Sequence, residues 1–457
     1  MEVNFKRIQL IKILLFILSL FYSFETFSTT INQAMAEAYK NSPEILALRS
    51  KLKASNQEIS KILGENRPKI NLDTRLGYDR TDTINTSSVE KTQYNNPRSL
   101  SLDVTQNIYD SGKKSHNLEK KEAEIFSNRA DLFSIEQKVL LETAKTYLKL
   151  FEAIELNKLA KNNYQVLQQH LEATKSRFEV GEVTITDLSQ AQARAMKANA
   201  NEIKTRGEIE IEKSNYFSLV GKDAPKILSF PKKNYFLPQS LKEIIEIAIK
   251  NNPKIISFGL RKKASFHDIS LSVTDLLPKL DLNISAQKAW DPNTFFNEYQ
   301  NFKLDLSLKV PLYNGGVNYA NVRQKRYTAL EKSQLLDNEI KKLVREIEIT
   351  WFSLRTYKTQ VKAIQASIEA SNTALKGVKE EASVGTRTTL DVLDAEQEAL
   401  QEAIELIIIK NNILSSTYDL LEKMGRLSPE KLKLNTATLN YEKDYEAVKK
   451  IWLGFEG

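Results

Sequence analysis

The chain has no cysteine. That excludes disulfides, thiolate metal sites, a cysteine nucleophile and a lipid-bearing cysteine behind a signal segment. Histidine is nearly as scarce: His116, His170 and His267 lie far apart on stretches of helical pattern. None has the spacing of a ligand pair or the context of a triad, so each reads as a surface residue. Walker-type and dinucleotide-binding glycine motifs are also missing, and Gly315-Gly316 reads as a strand-to-helix junction. No catalytic residue, metal or cofactor is therefore expected. With 14 glycines and 11 prolines in 457 residues, most of the chain is unpunctuated, and the few such residues become informative. Beyond the N-terminus no apolar run reaches the ~20 residues a membrane helix needs. A mature chain that crosses a bilayer must then do so with strands closed into a barrel.

What is present starts with an export signal. Lys6, Arg7 and Lys12 precede the run Ile13 to Tyr22, a basic segment followed by a short apolar one. Residues 1–28 read as a signal peptide cut after Ser28; an uncleaved anchor is the plainer alternative. The net charge of +8 comes from Lys and Glu interleaved along helical stretches. That is the pattern of a solvated face, and nucleic acid is not an expected partner.

The chain is a duplication. Asn41-Ser42-Pro43 recurs as Asn251-Asn252-Pro253, and Arg67-Pro68-Lys69-Ile70-Asn71-Leu72 as Leu277-Pro278-Lys279-Leu280-Asp281-Leu282, both 210 residues on. Tyr109-Asp110-Ser111-Gly112 recurs as Tyr313-Asn314-Gly315-Gly316, and Val180-Gly181-Glu182 as Val384-Gly385-Thr386, both 204 residues on. Six extra residues therefore fall between Pro68 and Tyr109, where a surface loop is expected. The first repeat spans 29–221 and the second 241–425. Between and after them, 222–240 and 426–457 read as equatorial side elements.

Each repeat has one order. A helix, about 43–66 or 241–276, ends at a proline. Two alternating runs follow, within about 70–108 and 280–310, each 9–11 residues long, the length of a tilted membrane strand. The polar links at 80–98 and 289–300 read as loops. Tyr78, Tyr109, Trp290, Phe302 and Tyr313 near the strand ends could form interfacial girdles or simply pack. Long helices come next, about 113–180 and 317–384. Leu336, Ile340, Leu343, Ile347, Trp351, Leu354, Val361, Ile364, Ile368, Leu375 and Val378 hold a near-heptad phase, which predicts a coiled-coil seam. At ~1.5 Å per residue such a helix is on the order of 100 Å long. Glycine turns at 181–186 and 385–389 then reverse the chain into return helices, so that the helical portions run about 113–220 and 317–424.

Four strands per chain cannot close a barrel, and open edges cannot sit in lipid. Several chains are required; three would supply twelve strands, an even number of the observed kind, although edge physics does not fix the number. In this order of elements, and above all in the run Val384-Gly385-Thr386-Arg387-Thr388-Thr389-Leu390-Asp391-Val392-Leu393-Asp394-Ala395, the chain resembles the TolC family of outer-membrane export ducts. Arg177-Phe178-Glu179-Val180-Gly181 and Ile185-Thr186-Asp187 are the first-repeat counterpart. The resemblance covers essentially the whole mature chain.

The resemblance implies a mainly α homotrimer: a long coiled-coil α-barrel below a twelve-stranded β-barrel in outer-membrane lipid. It implies that Gly181, Glu182, Gly385 and Thr386 meet a periplasmic adaptor, itself joined to an inner-membrane ABC or proton-driven transporter. Asp391 and Asp394 would ring the periplasmic entrance, and Arg387 would hold it closed by bonding Thr186 and Asp187. A cation-binding acidic ring is sound chemistry for three chains around one axis. First-turn acids favoured by the helix dipole are the plainer reading of the same residues. Ala382 departs from the family, which often has Tyr there, and Val183 and Gln190 replace Arg387 and Asp394 in the first repeat. The two turns are thus not equivalent, and the second is expected to move more. Drug efflux and type I protein secretion both fit; a non-conducting periplasmic coiled-coil scaffold is the alternative outside this class.

Overall fold

The computed structural model describes residues 30–65, 67–84, 90–225, 227–231, 237–293, 296–436 and 440–455. The expected signal peptide lies outside them. The first repeat contains α1 (Ile31–Asn41), α2 (Pro43–Glu65), β1 (Lys69–Leu76), β2 (Asp79–Ile84), β3 (Glu90–Asn95), β4 (Arg98–Tyr109), α3 (Lys113–Glu179) and α4 (Ile185–Val220). The second contains α5 (Leu241–Asn251), α6 (Pro253–Thr274), β5 (Lys279–Asn293), β6 (Phe296–Lys309), α7 (Val317–Ser383) and α8 (Thr389–Lys423). A short α9 (Tyr441–Lys449) follows. The chain is mostly helical with a small sheet, and the elements recur in one order in both halves.

The sequence predicts one helix over 241–276; the structure breaks it in two. Asn252 leaves the helical backbone and its Oδ1 accepts from the N–H groups of Lys254 and Ile255, while Pro253 opens α6. A proline costs nothing in the first turn, where its missing N–H would lack a partner anyway. The same break separates α1 from α2 at Ser42-Pro43. The expected loops are corrected too. Residues 80–98 hold the hairpin β2–β3, in register from Asp79 opposite Asn95 to Ile84 opposite Glu90. This hairpin lies in the interval that carries the six extra residues. It shows no apolar alternation, so periodicity could not reveal it. In the second repeat β5 runs on to Asn293 and β6 starts at Phe296, leaving little of the expected 289–300 loop.

Contacts divide the chain into two compact units. One comprises residues 42–141, 237–355 and 416–457 and contains the sheet, ordered β1-β4-β5-β6 with all neighbours antiparallel. Register sorts the side chains onto two faces. Ile70, Val104, Ile284 and Leu304 lie across one face, followed by Leu72, Leu102, Ala286 and Phe302. Asn71, Asp103, Ser285 and Lys303 cross the other. The apolar row is in the open: Ile70 and Leu72 are each 65% exposed and Phe302 is 70% exposed. In water such a continuous apolar face would be an aggregation or interaction surface. It is the outward face that a membrane barrel requires. Tyr78, Tyr109, Trp290, Phe302 and Tyr313 are all exposed.

The helices of this unit bury Ile45, Leu52, Ile59 and Ile62 of α2 and Ile125, Leu132 and Leu140 of α3. The C-terminal segment packs here: Tyr445 and Val448 of α9 are buried, and Tyr445 donates to Glu122 at 2.7 Å. The Arg49 guanidinium bonds Glu136 at 3.1 Å, and Tyr441 shares both partners. Burial pushes the Tyr441 hydroxyl up to about 12. The close of α8 presses on the α5–α6 junction, where Asn252 Nδ2 donates to the Lys423 carbonyl at 3.0 Å.

The second unit comprises residues 1–41, 142–236 and 356–415. Ala34, Met35 and Ala38 of α1 and Ala191, Ala195, Ala198, Tyr216 and Val220 of α4 are buried in this unit. Small residues let helix backbones approach closely. Asn41 Nδ2 donates to the Val220 carbonyl at 3.3 Å. Tyr147 closes the 227–231 segment, donating to the Ser229 carbonyl and accepting its N–H. In both units no residue of the expected α7 seam is exposed; Leu343, Ile347, Leu354 and Ile364 are buried and Trp351 is half-buried.

Candidate functional site

The two glycine turns are built alike. After α3, Gly181 takes φ +78°; its N–H donates to the Phe178 carbonyl, and that of Glu182 to Arg177, both at 2.9 Å. After α7, Gly385 takes φ +82°, donating to Ala382 at 3.1 Å while Thr386 donates to Glu381 at 3.0 Å. This paired closure satisfies the last carbonyls of a helix and needs a left-handed residue at its hinge, hence glycine.

The return helices then begin with the same reciprocal cap. Thr184 Oγ1 accepts from Asp187 N–H at 3.2 Å, and Asp187 Oδ2 accepts from Thr184 N–H at 2.9 Å. Thr388 and Asp391 repeat both bonds at 3.2 and 2.9 Å. Asp187 and Asp391 are therefore equivalent, 204 residues apart, and each holds the first turn of its helix. Hydrogen bonds from the Thr184 hydroxyl and N–H hold the Asp187 carboxyl low. The N–H and hydroxyl of Thr388 do the same for Asp391.

Within one chain, Arg387 reaches Glu381 at 2.9 Å, rather than Thr186 or Asp187. This hydrogen bond holds its guanidinium pKa up. Arg177 and Glu182 make the matching pair at the first turn, also at 2.9 Å. Gly181, Glu182, Thr186, Asp187, Gly385, Thr386, Arg387 and Asp394 are exposed, open to partners.

Two links here were not read from the sequence. Arg194 of α4 reaches Asp394 of α8 at 2.8 Å, joining the return helices of the two repeats. Glu396 of α8 is held by Lys379 of α7 at 2.7 Å and lies 3.5 Å from His170 of α3. Burial pushes the Glu396 carboxyl up, but bonds from His170 and Lys379 outweigh it and leave it low. The Lys379–Glu396 pair could have been sought, since both residues flank the Gly385 turn in an antiparallel hairpin. Nothing local marks Arg194, whose partner is 200 residues away.

A four-stranded sheet with an exposed apolar face, carried by long helices that reverse at capped glycine turns, defines an outer-membrane channel protein with a periplasmic helical portion. The comparisons give the family. The model for the outer membrane efflux proteins matches residues 34–222 and again 244–426, and the chain belongs to that family. The outer membrane efflux protein BepC of Brucella suis is 26% identical over 428 residues, covering 93% of this chain and 92% of the relative. The outer membrane protein TolC of Vibrio cholerae is 25% identical over 406 residues, covering 86% and 90%. Among solved structures, the CmeC outer membrane channel of Campylobacter jejuni superposes with a TM-score of 0.79 at 18% identity, covering 92% of this chain and 89% of that one; at that identity it speaks for the fold. The protein is an outer-membrane channel of the efflux and secretion type, extending into the periplasm.

Proposed function

We propose that three copies of the chain pair edge to edge, β1 of one with β6 of the next, into a twelve-stranded barrel, and that their helices enclose a periplasmic tunnel. One observation carries this reading. Among the described residues β1 and β6 each have a single strand neighbour in a sheet whose apolar face is in the open. Lipid tolerates neither free edge. The duct is passive, and its energy comes from an inner-membrane transporter, ABC-type or proton-driven, joined through a periplasmic adaptor at Gly181, Glu182, Gly385 and Thr386. The turns form the gate. Arg387, freed from Glu381, would bond Thr186 and Asp187 of a neighbouring helix pair, and Asp391 and Asp394 would make an acidic ring at the entrance. An exposed Arg–carboxylate pair is weak, so a few can latch a gate that still opens. A transporter gene of the ABC class beside this one would favour protein secretion, and a proton-driven one drug efflux.

The test is current through the purified protein in a planar bilayer. Small, cation-selective channels that lose selectivity with Asp391→Asn and Asp394→Asn together support barrel and entrance alike. Channels indifferent to the substitutions remove the gate from these residues. Well-folded protein that never inserts would overturn the duct in favour of a periplasmic scaffold.

A further inference from the structure

Two histidines that the sequence disperses come together in the sheet-bearing unit. His116 and Glu119 lie one turn apart near the start of α3, and His267 comes from α6. Glu119 Oε2 is 3.5 Å from His116 Nδ1 and 3.0 Å from His267 Nδ1. One ligand atom from each of the three lies within 4.8 Å of the others. Bonds of 2.0–2.2 Å to a tetrahedral zinc place ligand atoms about 3.4 Å apart, so small rotations would bring all three onto one ion. His116 Nδ1 is buried and has no hydrogen-bond partner. Buried polar nitrogens are nearly always satisfied, and coordination would satisfy this one. The side chains keep access to solvent: His116 is 36% and Glu119 46% exposed.

We propose that His116, Glu119 and His267 bind a divalent transition-metal ion of the zinc class, with water completing its shell. Two imidazoles and one carboxylate suit Zn²⁺, Ni²⁺ or Cu²⁺ and not Mg²⁺ or Ca²⁺, which demand oxygen ligands. The helix pair is already held on both sides of the site, by Lys113–Asp275 and Lys120–Asp268, each at 2.7 Å. Its ligands are thus positioned before the ion arrives. The place has a consequence. α3 continues from β4, α6 leads into β5, and β4 pairs with β5. An ion here clips the two repeats together beside their shared central strands.

The test uses the full chain purified without a polyhistidine tag, stripped with chelator and titrated calorimetrically with Zn²⁺. One ion per chain in the micromolar range is expected, with no heat from Mg²⁺. His116→Ala and His267→Ala should each weaken binding by about tenfold or more, Glu119→Gln should weaken it too, and His170→Ala should change nothing. Unaltered binding in His267→Ala, or no saturable binding to the native chain, overturns the site. If a variant does not fold, Co²⁺ on the native chain decides. Tetrahedral visible bands that Zn²⁺ displaces support the site, and their absence refutes it.

Discussion

Gly425 is the position where the backbone argument makes its sharpest prediction. It ends α8 at φ +66°, its N–H donating to Glu422 and that of Arg426 to Leu421, both at 2.8 Å. A Cβ there would stand 2.2 Å from the Asn251 carbonyl oxygen and 2.8 Å from its carbon. Gly385 shares the left-handed conformation, at φ +82°, but a Cβ there meets nothing within 4 Å. Gly385→Ala therefore carries only the left-handed penalty, about 1–2 kcal/mol. Gly425→Ala carries that and more. The α5–α6 junction must withdraw by about 1.2 Å to restore the 3.4 Å of ordinary contact. That motion strains the Asn252–Lys423 bond, a net ~1 kcal/mol, and disturbs packing around buried Met424 and Leu427, at ~1–3 kcal/mol. The difference between the variants should be about 2–4 kcal/mol on these terms. It is read as thermal loss of helical circular dichroism in detergent at one fixed scan rate, because unfolding of such a protein need not be reversible. Gly425→Ala should melt several degrees below Gly385→Ala. Equal melting of the two would refute the claim that the Asn251 carbonyl excludes a side chain.

Other consequences follow from the sheet and the helices. Leu304→Lys places a charge on the exposed apolar face and should cost about 2–4 kcal/mol near the bilayer midplane. Asn283→Lys, on the polar face opposite Asp305, should be tolerated; the yield of assembled protein in outer-membrane fractions compares them, and equal yields would deny that the apolar face meets lipid. Burial pushes the Glu152 carboxyl up, and Asn411 Nδ2, donating at 2.5 Å, offsets only part of this. An acid whose folded pKa is raised lends stability below its unfolded value, about 4.3, and loses it as pH rises through the folded one. Glu152→Gln should therefore raise the melting temperature near neutral pH, with the advantage fading below about pH 4; a lower melting temperature at neutral pH would contradict it.

Much of this molecule is legible in its sequence, for identifiable reasons. The long helices ended within a residue or two of expectation because Gly181 and Gly385 are rare marks in chains that otherwise lack them. The apolar face was legible because register preserves the period-two pattern across four strands. The β2–β3 hairpin was not, since polar residues occupy both its faces. The Asn252 break was marked by Asn252-Pro253, but apolar periodicity running on either side of it outweighed that mark. Side-chain meetings across repeats, Arg194 with Asp394 and His116 with His267, depend on how helices dock, and no local spacing encodes that. The family motif drew attention to this turn, yet it did not disclose that Asp391 and Asp187 are caps as well as charges.

That double role decides how the entrance must be tested. Asp391→Ala would remove a carboxylate and also the acceptor for the Thr388 N–H, loosening the first turn of α8 beside Arg387. A change in current could then come from lost charge or from a frayed turn. Asp391→Asn removes the charge and keeps an amide oxygen that can still accept from the Thr388 N–H, as an amide side chain does at the third position of a capping box. Asp187→Asn makes the same change to the cap in the other repeat and also removes a partner proposed for Arg387, so it reports on the latch rather than on the acidic ring. Asp394 differs, because its partner is Arg194 rather than its own backbone. Asp394→Asn therefore releases an inter-repeat link, and Arg194→Ala releases the same link without touching the acidic ring. If charge governs the entrance, cation selectivity falls with Asp391→Asn and Asp394→Asn and survives Arg194→Ala. If helix pairing governs it, conductance rises with Arg194→Ala and with Arg387→Ala while selectivity stays. Currents unchanged in every one of these variants would mean that neither the acids nor the ion pairs at this turn control passage.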